Sequence, residues 1–126
     1  MQFSARIISG SGIAKRQNVP TLNLTLQDIP SDLQEGIYAC RVYLQQPGIS
    51  NQKLLSAVMH YGPRPAHDLP LSCEVHILDQ AIENRPESVS IEIISRIRDV
   101  RDFENQKQLQ EAIQSDIAEA RAILRA

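Results

Sequence analysis

The sequence predicts a mainly β domain: a small closed barrel of six antiparallel strands followed by one C-terminal α-helix. Through the first three quarters of the chain, runs of strand-forming residues follow one another with turn residues between them. No helical pattern interrupts these runs, so the strands are expected to pair in antiparallel fashion. Six strands within 126 residues favour a small barrel over a sandwich.

The predicted strands are rich in β-formers and are separated by polar or glycine-containing turns. Clean alternation in residues 21–26 places Leu22, Leu24 and Leu26 on one apolar face. Residues 71–78 alternate in the same way, so each of these two strands has one buried face and one polar face. The six strands are predicted at residues 3–9, 21–26, 36–44, 54–61, 71–78 and 89–97.

The last segment has the pattern of an amphipathic helix from about residue 106 to residue 124. Asn105 and Gln108 stand three residues apart and form a plausible capping box at its start. Several alanines raise its helix propensity. One apolar stripe would pack this helix against the barrel, and its members are Leu109, Ile113, Ile117, Ala120 and Leu124.

Length and composition predict one domain over residues 1–126, large enough to bury a core. A formal net charge of −2 gives no reason to expect a nucleic-acid or membrane partner. No apolar run approaches the roughly 20 residues that a membrane helix needs, and the N-terminus lacks the pattern of a signal peptide. We therefore expect a cytoplasmic monomer in which Cys40 and Cys73 are reduced, buried thiols.

Thr21 and Asn23 form a candidate metal pair. They are two residues apart, so their side chains project from the same face of the second predicted strand. Two neutral oxygen donors side by side can ligate a hard cation such as Mg²⁺. Because they bring no charge, the ion would arrive with an anionic ligand such as a nucleotide phosphate. The same pattern also arises where Thr and Asn face water on a half-buried strand.

Glu74 is the best candidate for a general base. It lies in the middle of a predicted strand, has apolar neighbours in sequence and shares a face with His76. Partial desolvation raises the pKa of a carboxyl group and makes it a better proton acceptor. A glutamate on the outer face of a barrel strand is also an ordinary surface residue, so the position alone leaves both interpretations open.

Gly10 and Gly12 lie in the loop that precedes the polar pair. Glycine there lets backbone N–H groups turn toward an anion, and Lys15 can add a point charge. The loop is not a P-loop, because the required spacing of glycines before Lys and Ser or Thr is missing. By itself the loop is only a weak indication of an anion site.

Five motifs in order make the chain resemble the riboflavin kinase (flavokinase) family over about residues 5–124. Pro20-Thr21-Leu22-Asn23 is similar to the family's Pro-Thr-Ala-Asn signature. Glu74-Val75-His76-Ile77-Leu78-Asp79 matches a family strand without change. The other matches are Gly36-Ile37-Tyr38-Ala39, Tyr61-Gly62-Pro63-Arg64-Pro65, and Arg98-Asp99 followed by Phe103, Leu109, Asp116 and Ala120-Arg121. Five matches at near-family spacing are far more specific than any one of them.

The resemblance implies a six-stranded Greek-key barrel with a C-terminal helix. It also implies a kinase that transfers the γ-phosphoryl group of ATP to the ribityl 5′-hydroxyl of riboflavin. The ligands would be riboflavin and ATP as substrates, FMN and ADP as products, and Mg²⁺ as the metal. A monofunctional enzyme is expected, without the adenylyltransferase domain that makes FAD in many bacterial homologues.

Carried over by position, the resemblance assigns a role to each site residue. Glu74 would accept the proton of the attacking hydroxyl, and Thr21 and Asn23 would bind Mg²⁺ and the nucleotide phosphates. Residues 10–16 would form a flap over the nucleotide, and residues 98–103 would cover the flavin ring. The remaining binding residues are Pro20 at the start of the signature, Gly10, Gly12 and Lys15 in the flap, and Arg98 and Phe103 at the ring.

Several loop positions depart from the family pattern. Ala14 and Asn18 stand where the family's nucleotide loop has glycine, and Val100 replaces a usual Glu; Ala66 and Arg85-Pro86 also differ. The first alternative is therefore a degenerate flavin- or nucleotide-binding barrel without turnover; the altered loops favour it, whereas the intact Thr21, Asn23 and Glu74 argue against it. A small oligonucleotide-binding barrel is the further alternative, and 4% aromatic content with no Trp speaks against it.

Overall fold

The computed structural model describes residues 1–8, 14–16, 19–45, 54–63, 71–80, 82 and 86–125, with the backbone alone at residues 14–16 and 19. These ranges contain a seven-stranded sheet, a short 3₁₀ helix (Leu26–Asp28) and a C-terminal α-helix. The strands are β1 (Gln2–Arg6), β2 (Ala14–Arg16), β3 (Val19–Asn23), β4 (Gly36–Gln45), β5 (Leu54–Pro63), β6 (Leu71–Ile77) and β7 (Ser88–Arg98), and the helix is α1 (Gln106–Arg125).

The sheet has the order β1-β7-β4-β5-β6-β3-β2, with antiparallel pairing throughout. Strands β4, β5 and β6 are consecutive neighbours, and β7 returns to lie beside β4, which is a Greek key. Ile7, just after β1, bridges Leu24, just after β3, so the sheet curls back on itself. The six predicted strands and their Greek-key barrel are confirmed, and β2 adds a short strand at the edge.

The inner face of the curled sheet carries the main core. Strand alternation sends every second side chain inward, and Leu22 and Leu24 are fully buried there, as predicted. Burial of each large apolar side chain in such a core is worth about 1.5–3 kcal/mol. Other large members are Met59, Val75, Ile77, Val89 and Ile91.

The prediction that the second strand extends to Leu26 is wrong, because Leu26 does not lie on the buried face. Strand β3 ends at Asn23, and Leu26 begins the 3₁₀ helix, where it is 40% exposed. The carboxylate of Asp28 accepts hydrogen bonds of 2.9 Å from both the backbone N–H and the guanidinium Nε of Arg6. These bonds hold the turn against β1, and they keep the pKa of Asp28 below its usual value.

Helix α1 packs on the outer face of the sheet and confirms the predicted helix with one further residue at its end. Asn105 caps it, since its Oδ1 accepts a hydrogen bond of 2.9 Å from the Gln108 backbone N–H. Gln108 Oε1 accepts from the Glu104 N–H at 3.1 Å rather than from Asn105, so the predicted capping box is only half formed. Within the described ranges, no helix combines the length and apolar character needed to cross a membrane.

Both cysteines confirm the expectation of buried thiols. Cys40 and Cys73 are free and lie on the inner face, 0% and 1% exposed. Burial raises the pKa of both thiols, because the thiolate would lose its hydration in an apolar core. They therefore stay protonated and act as small apolar side chains.

Gly62 is expected to tolerate no side chain. Its φ of +152° is a conformation that other residues rarely adopt, and a methyl group there would lie 2.8 Å from Val100 Cγ2. We expect Gly62→Ala to lower the free energy of unfolding by about 1–3 kcal/mol, measured by urea denaturation. Gly62→Ala combined with Val100→Ala removes the contact but keeps the backbone strain, so it should recover part of the loss. Unchanged stability of Gly62→Ala would contradict this account.

Candidate active site

The register between β3 and β6 brings the predicted metal pair to the predicted base. Thr21 lies opposite His76 and Asn23 lies opposite Glu74, while Leu22 and its partner point to the inner face. Directly opposed residues in an antiparallel pair have Cβ atoms about 4.5–5.5 Å apart. Four polar side chains from two strands therefore form one cluster on the outer face, which we call the polar quartet (Thr21, Asn23, Glu74 and His76).

The polar quartet is mostly shielded from solvent. Thr21 is 1% exposed and Glu74 4% exposed, whereas Asn23 and His76 are half-buried. Thr21 Oγ1 and His76 Nδ1 are 2.9 Å apart, a hydrogen-bonding distance. His76 Nε2 lies 3.9 Å from Glu74 Oε2. The imidazole of His76 thus lies between the hydroxyl of Thr21 and the carboxylate of Glu74.

Glu74 belongs to a row of paired residues that crosses the sheet from β3 to β7. His60 on β5 is its register partner on one side, and Asn23 is its partner on the other. The row continues from His60 to Ile37 on β4 and then to Arg98 on β7. Neighbouring strands are about 4.8 Å apart, so Arg98 lies three strand spacings, roughly 14 Å, from Glu74.

Arg98 and Phe103, the two predicted flavin-binding residues, belong to one cluster at the far end of this row. Arg98 donates to both carboxylate oxygens of Asp116 on α1, at 2.8 Å and 2.7 Å. Its guanidinium carbon is 5.7 Å from the centroid of the Phe103 ring, and that of Arg101 is 5.1 Å away. The aromatic ring is therefore held beside two cations.

The segment between Arg98 and Phe103 approaches the base across β5. Val100 lies against Gly62, whose register partner on β6 is Ser72. Ser72 precedes Glu74 by two residues, a step of about 6.6 Å along the strand. The predicted flavin segment and the predicted base therefore occupy adjoining parts of the outer face.

The nucleotide flap is described only in part. Gly10 and Gly12 lie outside the described residues, and Lys15 is described by its backbone alone, paired with Pro20 in the β2–β3 ladder. Pro20 itself is buried. Ala14 lies in the extended strand β2, opposite Thr21, where alanine needs no positive φ. The replacement of glycine by Ala14 therefore brings no backbone strain at that position.

Three residues that contact or adjoin the predicted site residues have no role predicted from the sequence. His76 was noted only as a neighbour on the face of Glu74, and His60 had no assigned role. Asp116 was only one element of a motif. The alternation of β6 could have indicated His76. The pair of Arg98 and Asp116 joins two residues that are 18 positions apart, and no local pattern indicates it.

Comparison with solved structures identifies the kind of barrel. A riboflavin kinase from Trypanosoma brucei shares the fold with a TM-score of 0.63 at 17% identity, covering 98% of this chain and 79% of that one. A macrolide-efflux protein from Streptococcus pneumoniae gives a TM-score of 0.70 at 24% identity, covering 95% of this chain and 38% of that one. Identities this low show the fold alone, and by its fold the chain is a riboflavin kinase-like barrel.

The family follows from sequence comparison. The riboflavin kinase (Flavokinase) family model matches residues 1–124, so the chain belongs to the riboflavin kinase family, and the resemblance drawn from the five motifs is confirmed. A bifunctional riboflavin kinase/FMN adenylyltransferase from Pseudomonas fluorescens is 27% identical over 124 residues. That match covers 97% of this chain, which spans 38% of the length of this relative.

Proposed function

We propose that this chain transfers the γ-phosphoryl group of ATP to the ribityl 5′-hydroxyl of riboflavin, giving FMN and ADP. The observation that carries the proposal is the pairing of Asn23 with Glu74, with Thr21 two residues away on the same face. Phosphoryl transfer depends mainly on positioning and charge neutralisation. A proton acceptor beside two neutral oxygen donors could position a hydroxyl nucleophile next to a nucleotide phosphate and hold the cation that offsets the phosphate charge.

Thr21 and Asn23 fit a Mg²⁺ site that is completed by the nucleotide. Mg²⁺ usually keeps several waters and takes a few protein oxygens together with substrate phosphates. A hydroxyl and an amide oxygen supply neutral ligands without adding charge to a site that already holds the Glu74 carboxylate. When bound, the ion would offset the charge that develops on the transferred phosphoryl group.

Glu74 acts as the general base in this proposal. As the 5′-oxygen of riboflavin bonds to the γ-phosphorus, the bond from that phosphorus to the bridging oxygen breaks and ADP leaves. The hydroxyl proton passes to the Glu74 carboxylate, which later releases it to water. Glu74 as a residue is only 4% exposed, so few waters compete with the substrate hydroxyl for its carboxylate oxygens.

The flavin ring would lie toward Arg98 and Phe103, and the nucleotide under residues 10–16. The roughly 14 Å between Glu74 and Arg98, three strand spacings, suits an elongated substrate with its hydroxyl at one end and its ring at the other. Phe103 would supply an aromatic ring beside the flavin, next to the Arg98 guanidinium. The proposed setting is a cytoplasmic monomer with no nucleic-acid or membrane partner, and the free thiols of Cys40 and Cys73 fit a reducing compartment.

The proposal is tested by incubating the purified protein with riboflavin, ATP and Mg²⁺ and detecting FMN by chromatography. Stoichiometric FMN and ADP are the expected products. Tight binding of flavin or nucleotide in fluorescence titrations without any FMN would instead establish a binding module. A gel shift with oligonucleotides, weakened by salt, would favour the nucleic-acid alternative.

Asn23→Ala is expected to weaken the binding of Mg·ATP, because it removes one of two proposed protein ligands. We expect the KM for Mg·ATP to rise by roughly 10-fold or more, with the KM for riboflavin little changed. Steady-state kinetics at several Mg²⁺ concentrations measure this effect. Ser90→Ala, a polar-to-alanine change on β7 far from the quartet, is the matched control. An unchanged Mg²⁺ dependence in Asn23→Ala would count against its ligand role.

A further inference from the structure

Ser72 carries a buried hydroxyl that has no hydrogen-bond partner among the described residues. The next residue, Cys73, belongs to the inner core, so the Ser72 side chain projects from the outer face of β6. Its oxygen is shielded, although the residue as a whole is half-buried. A shielded polar group without a partner is disfavoured, because it has lost its hydration and gained no hydrogen bond in return. Such groups are rare in native proteins, and this one requires an explanation.

The strand pairing shows why Ser72 finds no partner on its β5 side. Its register partner there is Gly62, which has no side chain to donate or accept a hydrogen bond. The aliphatic side chain of Val100 lies over this glycine, with Cγ2 2.8 Å from the position of an added methyl group. Glu35 Oε1 is 3.5 Å from the same position, but it does not bond to Ser72. The hydroxyl therefore stays available on the outer face of the sheet.

Ser72 lies between the proposed base and the proposed flavin segment. Glu74 follows it by two residues on the same face of β6, a step of about 6.6 Å along the strand. Across the ladder, Gly62 is covered by Val100, which belongs to the segment from Arg98 to Phe103. A substrate that places a terminal hydroxyl at Glu74 and a ring at that segment has to pass its connecting chain close to Ser72.

The connecting chain of riboflavin carries the groups that a serine hydroxyl can bind. Between the ring and the 5′-hydroxyl, the ribityl chain bears three secondary hydroxyls, each of which can donate one hydrogen bond and accept others. The serine hydroxyl has the same capacity, so the two groups can pair in either direction without any change of charge. The spacing from the 5′-oxygen to these hydroxyls is comparable with the two-residue step from Glu74 to Ser72.

We propose that Ser72 is a substrate-binding residue that pairs with a secondary hydroxyl of the ribityl chain and thereby selects flavins with a polyhydroxyl chain. The inference rests on the proposed function, which places the 5′-hydroxyl at Glu74 and the ring at residues 98–103. The free protein leaves the Ser72 hydroxyl without a partner, and the substrate supplies one. A site that hydrogen-bonds a substrate hydroxyl discriminates against analogues without it, because its own polar group then stays unpaired.

Fluorescence titration with riboflavin and lumiflavin, with ADP and Mg²⁺ present, tests the inference without phosphoryl transfer. Lumiflavin has the same ring system and a methyl group in place of the ribityl chain. Ser72→Ala is expected to weaken riboflavin binding by roughly 10-fold and to leave lumiflavin binding unchanged. Ser72→Thr keeps the hydroxyl and should stay closer to the native affinity. Equal losses for the two flavins, no loss for riboflavin, or the same loss in both variants would overturn the proposal.

Stability separates a ligand role of Ser72 from a structural one. Its hydroxyl has no partner in the free protein, so Ser72→Ala breaks no hydrogen bond and removes a shielded polar group. We expect this variant to unfold at the same urea concentration as the native protein or at a higher one. A lower midpoint would show that the hydroxyl supports the fold and would overturn the proposal.

Ser56→Ala is the matched control for the binding experiment. Ser56 is a half-buried serine on the outer face of β5, since its neighbours Leu55 and Ala57 belong to the inner core. It lies four residues from His60, the register partner of Glu74, which is about 13 Å along the strand. Its replacement should leave the affinities for both flavins at their native values.

The outcomes distinguish this inference from the proposed function. If the native protein makes no FMN, but Ser72→Ala weakens the binding of riboflavin alone, the kinase activity fails and the role of Ser72 stands. If FMN forms and Ser72→Ala keeps the native affinity and KM for riboflavin, the kinase stands and the role of Ser72 fails. A native protein that binds no riboflavin would overturn both.

Discussion

Glu74→Gln is expected to lower the turnover of riboflavin by a factor of about 10²–10⁴, the usual contribution of a positioned general base. Glutamine has nearly the shape of glutamate, so the polar quartet should keep its packing around this buried side chain. It cannot take up the hydroxyl proton as the phosphoryl group arrives. The kcat for FMN formation measures the loss, and fluorescence titration with riboflavin should show that binding is largely kept.

Glu92→Gln is the matched control for this prediction. Glu92 also lies on the outer face of the sheet, on β7, with its carboxylate 3.8 Å from Arg41 and its side chain 42% exposed. The same change in charge therefore occurs on the same face, away from the quartet, and turnover should stay near the native rate. Near-native turnover in Glu74→Gln would show that another group, or water, accepts the proton.

The faces of the strands could be predicted from the sequence, because side chains alternate with a period of two. This rule placed Thr21 with Asn23, and Glu74 with His76, on the polar face of their own strands. The core membership of Leu22 and Leu24 follows from the same rule. The rule failed at Leu26. The alternation ends early there, because the carboxylate of Asp28 accepts hydrogen bonds from Arg6, which is 22 positions away in the sequence. Local patterns cannot report such contacts.

The meeting of the two polar faces could not be predicted from periodicity. Strands β3 and β6 are separated by two other strands in sequence, and a shift in register by one residue would have sent one polar pair into the core. The family resemblance supplied the association of Thr21, Asn23 and Glu74 without any geometry. The alternation of β6 places His76 on the face of Glu74, but its contact with Thr21 follows only from the observed register.

The ion pair between Arg98 and Asp116 also could not be predicted from the sequence. Asp116 lies on the packed side of α1 and is 6% exposed, although an aspartate in a helix is ordinarily expected to face water. The bidentate bonds to Arg98 explain its burial, since they satisfy both carboxylate oxygens. The pair thereby links the helix to the start of the segment that carries Phe103.

Asp116→Asn is expected to lower the free energy of unfolding by about 2–4 kcal/mol, because it leaves the largely buried Arg98 guanidinium facing a neutral amide. The Arg98 side chain is only 23% exposed, so water replaces the lost interaction incompletely. Release of Arg98 should also loosen the Phe103 segment and raise the KM for riboflavin more than the KM for ATP. Urea denaturation and steady-state kinetics measure the two effects.

Asp79→Asn is a matched control, because Asp79 and Arg121 form a second bidentate pair that involves α1. That pair is on the surface, with side chains 60% and 41% exposed, and such pairs are worth within about 1 kcal/mol. Asparagine also tolerates the positive φ of 61° at Asp79. Hydrogen bonding to Arg121 lowers the pKa of Asp79, so its contribution is present at neutral pH and is lost as the pH falls through that lowered value.

At neutral pH, Asp116→Asn therefore disrupts a largely buried Arg–Asp pair, and Asp79→Asn disrupts an exposed pair of the same chemistry. Equal losses of stability would show that burial adds nothing to the Arg98–Asp116 pair. A large loss in Asp116→Asn with an unchanged KM for riboflavin would keep the structural role of the pair and separate it from flavin binding. A rise in the KM for riboflavin in Asp116→Asn alone would tie the helix, through Arg98, to the proposed flavin site.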